Sequence, residues 1–151
     1  MQTKKRKFEL KDFDMAELAE DYLKRHNVKK LPVDVFELCR RDKIALIPYS
    51  AKEAKNIADL IDARELMDLT DGFTFQVKRI PIIIWDDSKP ITRQQFTIAH
   101  ELAHNLLGHT GLDGSCQFRC PNSDICGEYS NCIEWQADSL AFNLLCPDFD
   151  E

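Results

Sequence analysis

Ile91-Thr92-Arg93-Gln94-Gln95-Phe96-Thr97-Ile98-Ala99-His100-Glu101-Leu102-Ala103-His104-Asn105-Leu106-Leu107-Gly108 is the stretch on which the reading of this chain turns. Phe96, Ala99, Leu102, Ala103, Leu106 and Leu107 recur at helical spacing; Pro90 or Thr92 opens the helix and Gly108 stops it. Inside it, His100-Glu101-Leu102-Ala103-His104 forms an HExxH pattern. Residues four apart share a helical face, so His100 and His104 offer two imidazoles to one metal ion. Glu101 is rotated from His100 by about 100°. From there its carboxylate reaches water beside the metal without being a ligand itself. Five residues of this kind also occur by chance in soluble helices, so the surroundings decide.

Zinc in a hydrolase usually takes three protein ligands and leaves one position for water. A second helical pattern, Ile133 to Cys146, supplies Glu134 as the preferred third ligand. Glu134 and Asp138 share one polar face of that pattern, while Ile133, Ala137 and Leu140 make its buried stripe. Asp138 is therefore expected to accept the far N–H of a ligand histidine, which fixes the ring's tautomer and orientation. Rival third ligands are Asp113, Asp124, Glu128 and His109. His109 follows His104 by five residues where the metzincin pattern needs six. In this arrangement zinc lowers the pKa of water towards about 7 and polarises a carbonyl. Glu101 takes the proton as general base and returns it to the leaving amine. Tyr129, His109 and Arg93 are candidate donors to the oxyanion, although Arg93 suits bracing the start of the helix better.

The remaining elements form a frame for that site. Asp12 to His26 reads as a helix capped by Asp14 and ended by Asn27. Val33 to Cys39 reads as a shorter helix, and Ile44 to Tyr49 as a strand stopped by Pro48. Lys52 to Leu69 has no Gly or Pro and reads as one charged surface helix. Phe73 to Val77 alternates as a half-buried strand does, and Pro81 to Trp85 is its buried partner. Residues 109–131 read as a cysteine-rich loop. The expectation is a single α+β domain over residues 1–151, a compact zincin-like fold with helices around a small sheet.

The 26 acidic residues outnumber the 20 Lys and Arg, for a formal net charge of −6. Lys4, Lys5, Arg6 and Lys7 make residues 1–11 a flexible basic tail by expectation. Beyond His109 the only Lys or Arg is Arg119. That balance argues against direct nucleic-acid binding, which needs cations for phosphate contacts. No apolar run approaches the ~20 residues of a membrane helix, and none follows the basic start as in a signal peptide. A cytoplasmic protein is expected, with its six cysteines as thiols or metal ligands. Cys39 and Cys146 fall in helical patterns and read as core. In Cys116-x3-Cys120-x5-Cys126-x5-Cys132 the x3 gap suits structural zinc ligands, while the x5 gaps are wider than usual. A second, structural zinc and four ordinary thiols both fit that spacing.

Arg93 to Leu107 closely resembles the active-site helix of ImmA/IrrE-type metallo-endopeptidases. The likeness runs back through Ile82-Ile83-Ile84-Trp85 to Pro90. It runs forward to Glu134-Trp135-Gln136-Ala137-Asp138-Ser139-Leu140-Ala141 and Leu144-Leu145-Cys146-Pro147. It implies a thermolysin-like zinc peptidase with ligands His100, His104 and Glu134 and catalysis by Glu101. It also implies a helix-turn-helix repressor as substrate, cleaved at a specific site to relieve repression in a bacterium, phage or mobile element. The four cysteines between the ligand helices are not a feature of that family as a whole. With the chain ending soon after Pro147, the extra helices or sensor domain of longer members are not expected.

The alternative from a different class is a zinc-stabilised interaction module that binds a regulator with little or no proteolysis. Glu101 separates the two, because a structural zinc site needs no carboxylate poised for water.

Overall fold

The computed structural model describes residues 12–108 and 123–147, with backbone alone for 12, 13 and 123–132. Helix α1 (Asp12–Arg25) leads to α2 (Val35–Arg41) and strand β1 (Ala45–Pro48). Helices α3 (Lys52–Leu60) and α4 (Arg64–Leu69) follow, then the hairpin β2 (Gly72–Val77) and β3 (Ile80–Trp85). Helices α5 (Ile91–Leu106) and α6 (Ser123–Leu145) complete the described residues. This is an α+β arrangement of helices round a three-stranded sheet, compatible with a compact zincin-like domain. Among the described residues no helix is long and apolar enough to cross a membrane.

The sheet order is β1-β3-β2, with β1 parallel and β2 antiparallel to β3. The apolar run Ile82-Ile83-Ile84 suits the central strand because both its faces are covered. On one face, Ile83 and Trp85 join Met15, Leu23, Leu38, Ile98, Leu102, Leu140 and Leu144 in the larger core, built with α1, α2, α5 and α6. On the other, Ile84, Phe73 and Phe75 meet Ala54 and Ala63 in a smaller cluster under α3 and α4.

The single helix read over Lys52 to Leu69 is corrected to two. Asp62 takes φ +59°, Asp62 N–H donates to Asp59 O at 3.3 Å, and Ala63 N–H donates to Ala58 O at 2.7 Å. That is a Schellman ending with an aspartate in the left-handed position where glycine is usual. Asn27 (φ +60°) ends α1 and Lys43 (φ +62°) ends α2 in the same way, with Val28 and Ile44 bonding back to Leu23 and Cys39. Asp14 lies inside α1, not at its cap. Asp34 caps α2 by accepting from Glu37 N–H at 3.1 Å, so that helix starts two residues later than read.

The loop read over 109–131 is also corrected, because α6 already begins at Ser123. Gly127, Ser130 and Asn131 weaken local propensity there without ending the helix, propensity being a weak prior. Cys126 and Cys132 therefore lie on α6; Cys116 and Cys120, like the tail 1–11, lie outside the described residues. Cys39 is fully buried, and burial, followed by the charge of Asp42, pushes its thiol up to about 12. Cys146 is exposed rather than core, since the helix ends one residue before it. Phe96, one of the apolar positions at helical spacing, is 40% exposed.

Candidate metal centre

Helix α5 is set on the sheet by contacts at its start. Trp85 Nε1–H donates to Gln94 Oε1 at 2.8 Å, and Gln94 Nε2 donates to Lys89 O at 2.7 Å and Asp87 O at 3.2 Å. Arg93 pairs with Asp71 at the end of the α4–β2 connection, and so braces the helix rather than facing the histidines. At the other end Gly108 takes φ +75° and donates to Asn105 O. Between these ends Ile98, Ala99, Leu102 and Ala103 are wholly buried, which draws His100, Glu101 and His104 inside with them.

The last helix brings the second half of the site. Ala137, Leu140, Ala141 and Leu144 seat α6 in the larger core. The same seating turns Glu134 and Asp138 towards α5. His100 Nε2 lies 3.1 Å from Glu134 Oε1 and 3.2 Å from His104 Nε2, and His104 Nε2 lies 3.5 Å from Glu134 Oε2. The two imidazoles meet edge to face, 4.8 Å between centroids. His100 Nδ1 points the other way, with Asp138 Oδ1 at 2.7 Å.

These separations carry chemical information. Four ligands at 2.0–2.1 Å around a tetrahedral zinc stand roughly 3.3 Å apart. The observed 3.1, 3.2 and 3.5 Å bracket that edge length. Two imidazole nitrogens facing each other at such range repel unless a proton or cation lies between them. Donor set and spacing both fit a zinc-type ion. Among the described residues, His100, His104 and Glu134 are the group whose ligand atoms all fall within 4.8 Å of one another. Glu101 is 1% exposed on the same helix, about 100° round from His100.

Of the rival third ligands, His109 and Asp113 lie outside the described residues, and Asp124 and Glu128 have only their backbone described, as does the oxyanion candidate Tyr129. Sequence reasoning passed over Asn105 and Thr74, which join α5 to β2: Asn105 Nδ2 donates to Thr74 Oγ1 at 2.9 Å. Asn105 lies four residues after Glu101, a spacing that puts it on the same face as Glu101, and that was its signal.

A profile of the IrrE N-terminal-like domain, peptidase M78, matches residues 63–151, more than half of the chain. The chain belongs to that family. M78 members are metal-dependent peptidases, and the group of two histidines and a glutamate falls within the matched span. Comparison with curated proteins and with solved structures finds no match.

Proposed function

We propose that this protein is a zinc-dependent, site-specific endopeptidase whose substrate is a helix-turn-helix transcriptional repressor. The observation that carries the reading is the convergence of His100, His104 and Glu134 from two helices, with a buried glutamate beside the first histidine. His100 and His104 would hold the ion through Nε2 and Glu134 through its carboxylate, in the pattern of catalytic zinc sites with an open fourth position. Asp138 Oδ1, 2.7 Å from His100 Nδ1, is placed to orient that ring and would leave Nε2 as the lone-pair nitrogen towards the ion. When bound, zinc supplies Lewis acidity, making water more acidic and a peptide carbonyl more electrophilic.

Glu101 does the proton work. A carboxylate oxygen accepts the proton of the attacking water, and the same group then delivers it to the nitrogen of the leaving amine. Burial at 1% exposure keeps bulk water from competing for that proton. Because the resemblance sets reaction class better than target, the substrate half of the proposal rests on the family's regulatory partners.

The test is incubation of the zinc-loaded protein with helix-turn-helix regulators from the same genome, any encoded beside it first, reading fragments by mass spectrometry. A single defined cut is expected. Glu101→Gln should keep its zinc and lose about 10²–10⁴-fold in cleavage rate. Cleavage that survives this change would overturn the mechanism. Tight binding of the regulator without any cut would favour a zinc-stabilised interaction module instead.

A further inference from the structure

We infer that Gly72 and Thr74 on β2 bracket Glu101 and act as positioning residues that set where its carboxylate sits, independently of the metal ligands. The inference rests on the reading of Glu101 as general base.

Thr97, Glu101 and Asn105 are spaced by four and form one row along α5. Both ends of the row are held by β2. At the upstream end Gly72 permits a close approach: a Cβ there would stand 2.8 Å from Thr97 Cγ2 and 3.0 Å from Ile84 O. Any larger residue must shift the Thr97 side chain or the backbone at Ile84. At the downstream end Asn105 Nδ2 donates to Thr74 Oγ1, and Thr74 Oγ1 donates to Ile82 O, each at 2.9 Å. The same Nδ2 donates to Glu101 O at 2.9 Å. Thr74 is 4% exposed, so its hydroxyl has little access to solvent as a substitute partner.

The two contacts do different things. The glycine notch sets the separation of helix and strand beside Thr97, and the Asn105–Thr74–Ile82 chain of hydrogen bonds sets axial position and rotation. Glu101 lies midway between them, on the row that both fix. His100 and His104 face α6 instead, through Glu134 and Asp138. One helix thus takes the placement of its base from the sheet and the placement of its ligands from a neighbouring helix.

The experiment uses the full chain loaded with cobalt in place of zinc, because the visible spectrum of cobalt reports the ion's surroundings whether or not a substrate is known. Cobalt affinity is measured in parallel. Gly72→Ala and Thr74→Val should move the spectrum towards that of Glu101→Gln, while their cobalt affinity falls by less than the roughly ten-fold that loss of a histidine-orienting partner costs. Thr74→Ser, which keeps the hydroxyl, should retain the wild-type spectrum. Adding Thr97→Ser, which removes the methyl the new Cβ would meet, should partly restore Gly72→Ala. Should Gly72→Ala not fold, the near-isosteric pair Thr74→Val and Thr74→Ser decides alone. Wild-type spectra for Gly72→Ala and Thr74→Val, alongside a changed one for Glu101→Gln, would overturn the inference. So would a loss of cobalt affinity in step with the spectral change. A Glu101→Gln protein with both wild-type spectrum and wild-type cleavage would instead remove the assignment of the base, on which the bracket depends.

Discussion

The two faces of the sheet are built to different ends. The face under α3 and α4 is apolar and shallow, with Phe73, Phe75 and Ile84 covered by Ala54 and Ala63 and by half-buried side chains such as Leu66 and Met67. Helix α4 has no fully buried residue. The opposite face carries the larger core, and inside that core sit His100, Glu101 and His104, all at 5% exposure or less. Burying such groups is costly unless each is partnered. The comparison teaches that the polar centre is affordable only on the side where Leu102, Leu140 and Leu144 supply a surplus of apolar contact.

If the faces are separable in this way, damage to each should have a different signature. Phe73→Ala, on the shallow face, should cost about 3–5 kcal/mol of stability in denaturant unfolding while the folded fraction keeps its zinc affinity. A fall in that affinity would show that the faces are coupled. Leu140→Ala, in the larger core, should cost about 2–5 kcal/mol and weaken zinc binding too, because it loosens the helix that carries Glu134. A competing chelator dye reads that loss. Asp138→Asn narrows the damage to the site itself. Zinc affinity should fall about 10–100-fold, with metal-free stability changed by less than about 0.5 kcal/mol.

The smallest effect lies where the faces meet. Asp87 accepts from Ser50 N–H at 3.0 Å and from Ser50 Oγ–H at 2.5 Å, tying the end of β1 to the turn before α5. Partial burial raises its carboxyl, but the bonds from the Ser50 hydroxyl and backbone, and from its own backbone, lower it more, for a net depression. A folded-state pKa below the unfolded value means stability that is present at neutral pH and lost as pH falls through the folded value. Because the group is partly exposed and so screened by solvent, the contribution is a few tenths of a kcal/mol. Asp87→Asn should therefore lower the melting temperature slightly at pH 7 and not at all near pH 2. An equal loss at both would point to packing instead of charge.

Most of this architecture was legible because its signals are local. The apolar spacing of α5, the alternation of β2 and the polar pair Glu134 and Asp138 on an apolar helix each announce themselves within a few turns. The misreadings have different causes. Asp62 and Lys43 end helices in a left-handed conformation that glycine normally advertises, so no residue type marked the breaks. Phe96 follows the helical period yet is left 40% exposed among the described residues, a fact of tertiary placement. The contact of Gly72 with Thr97 and the bond of Thr74 to Asn105 depend on which strand lies over which row of a helix, and no spacing within either segment carries that.

The turn between β2 and β3 consists of Lys78 and Arg79 alone, both at positive φ, where Asn-Gly is the usual choice. Its length acts as an index for the whole strand. With two residues in the turn, Val77 lies opposite Ile80, and by count Thr74 lies opposite Ile83 on the side of α5. One inserted residue that slipped the register would turn β2 over, presenting Phe73 and Phe75 to α5 and burying Thr74 among α3 and α4. The residues of β2 that meet Thr97 and Asn105 are thus chosen by a count of residues at an exposed tip of the sheet, far along the strand from both contacts.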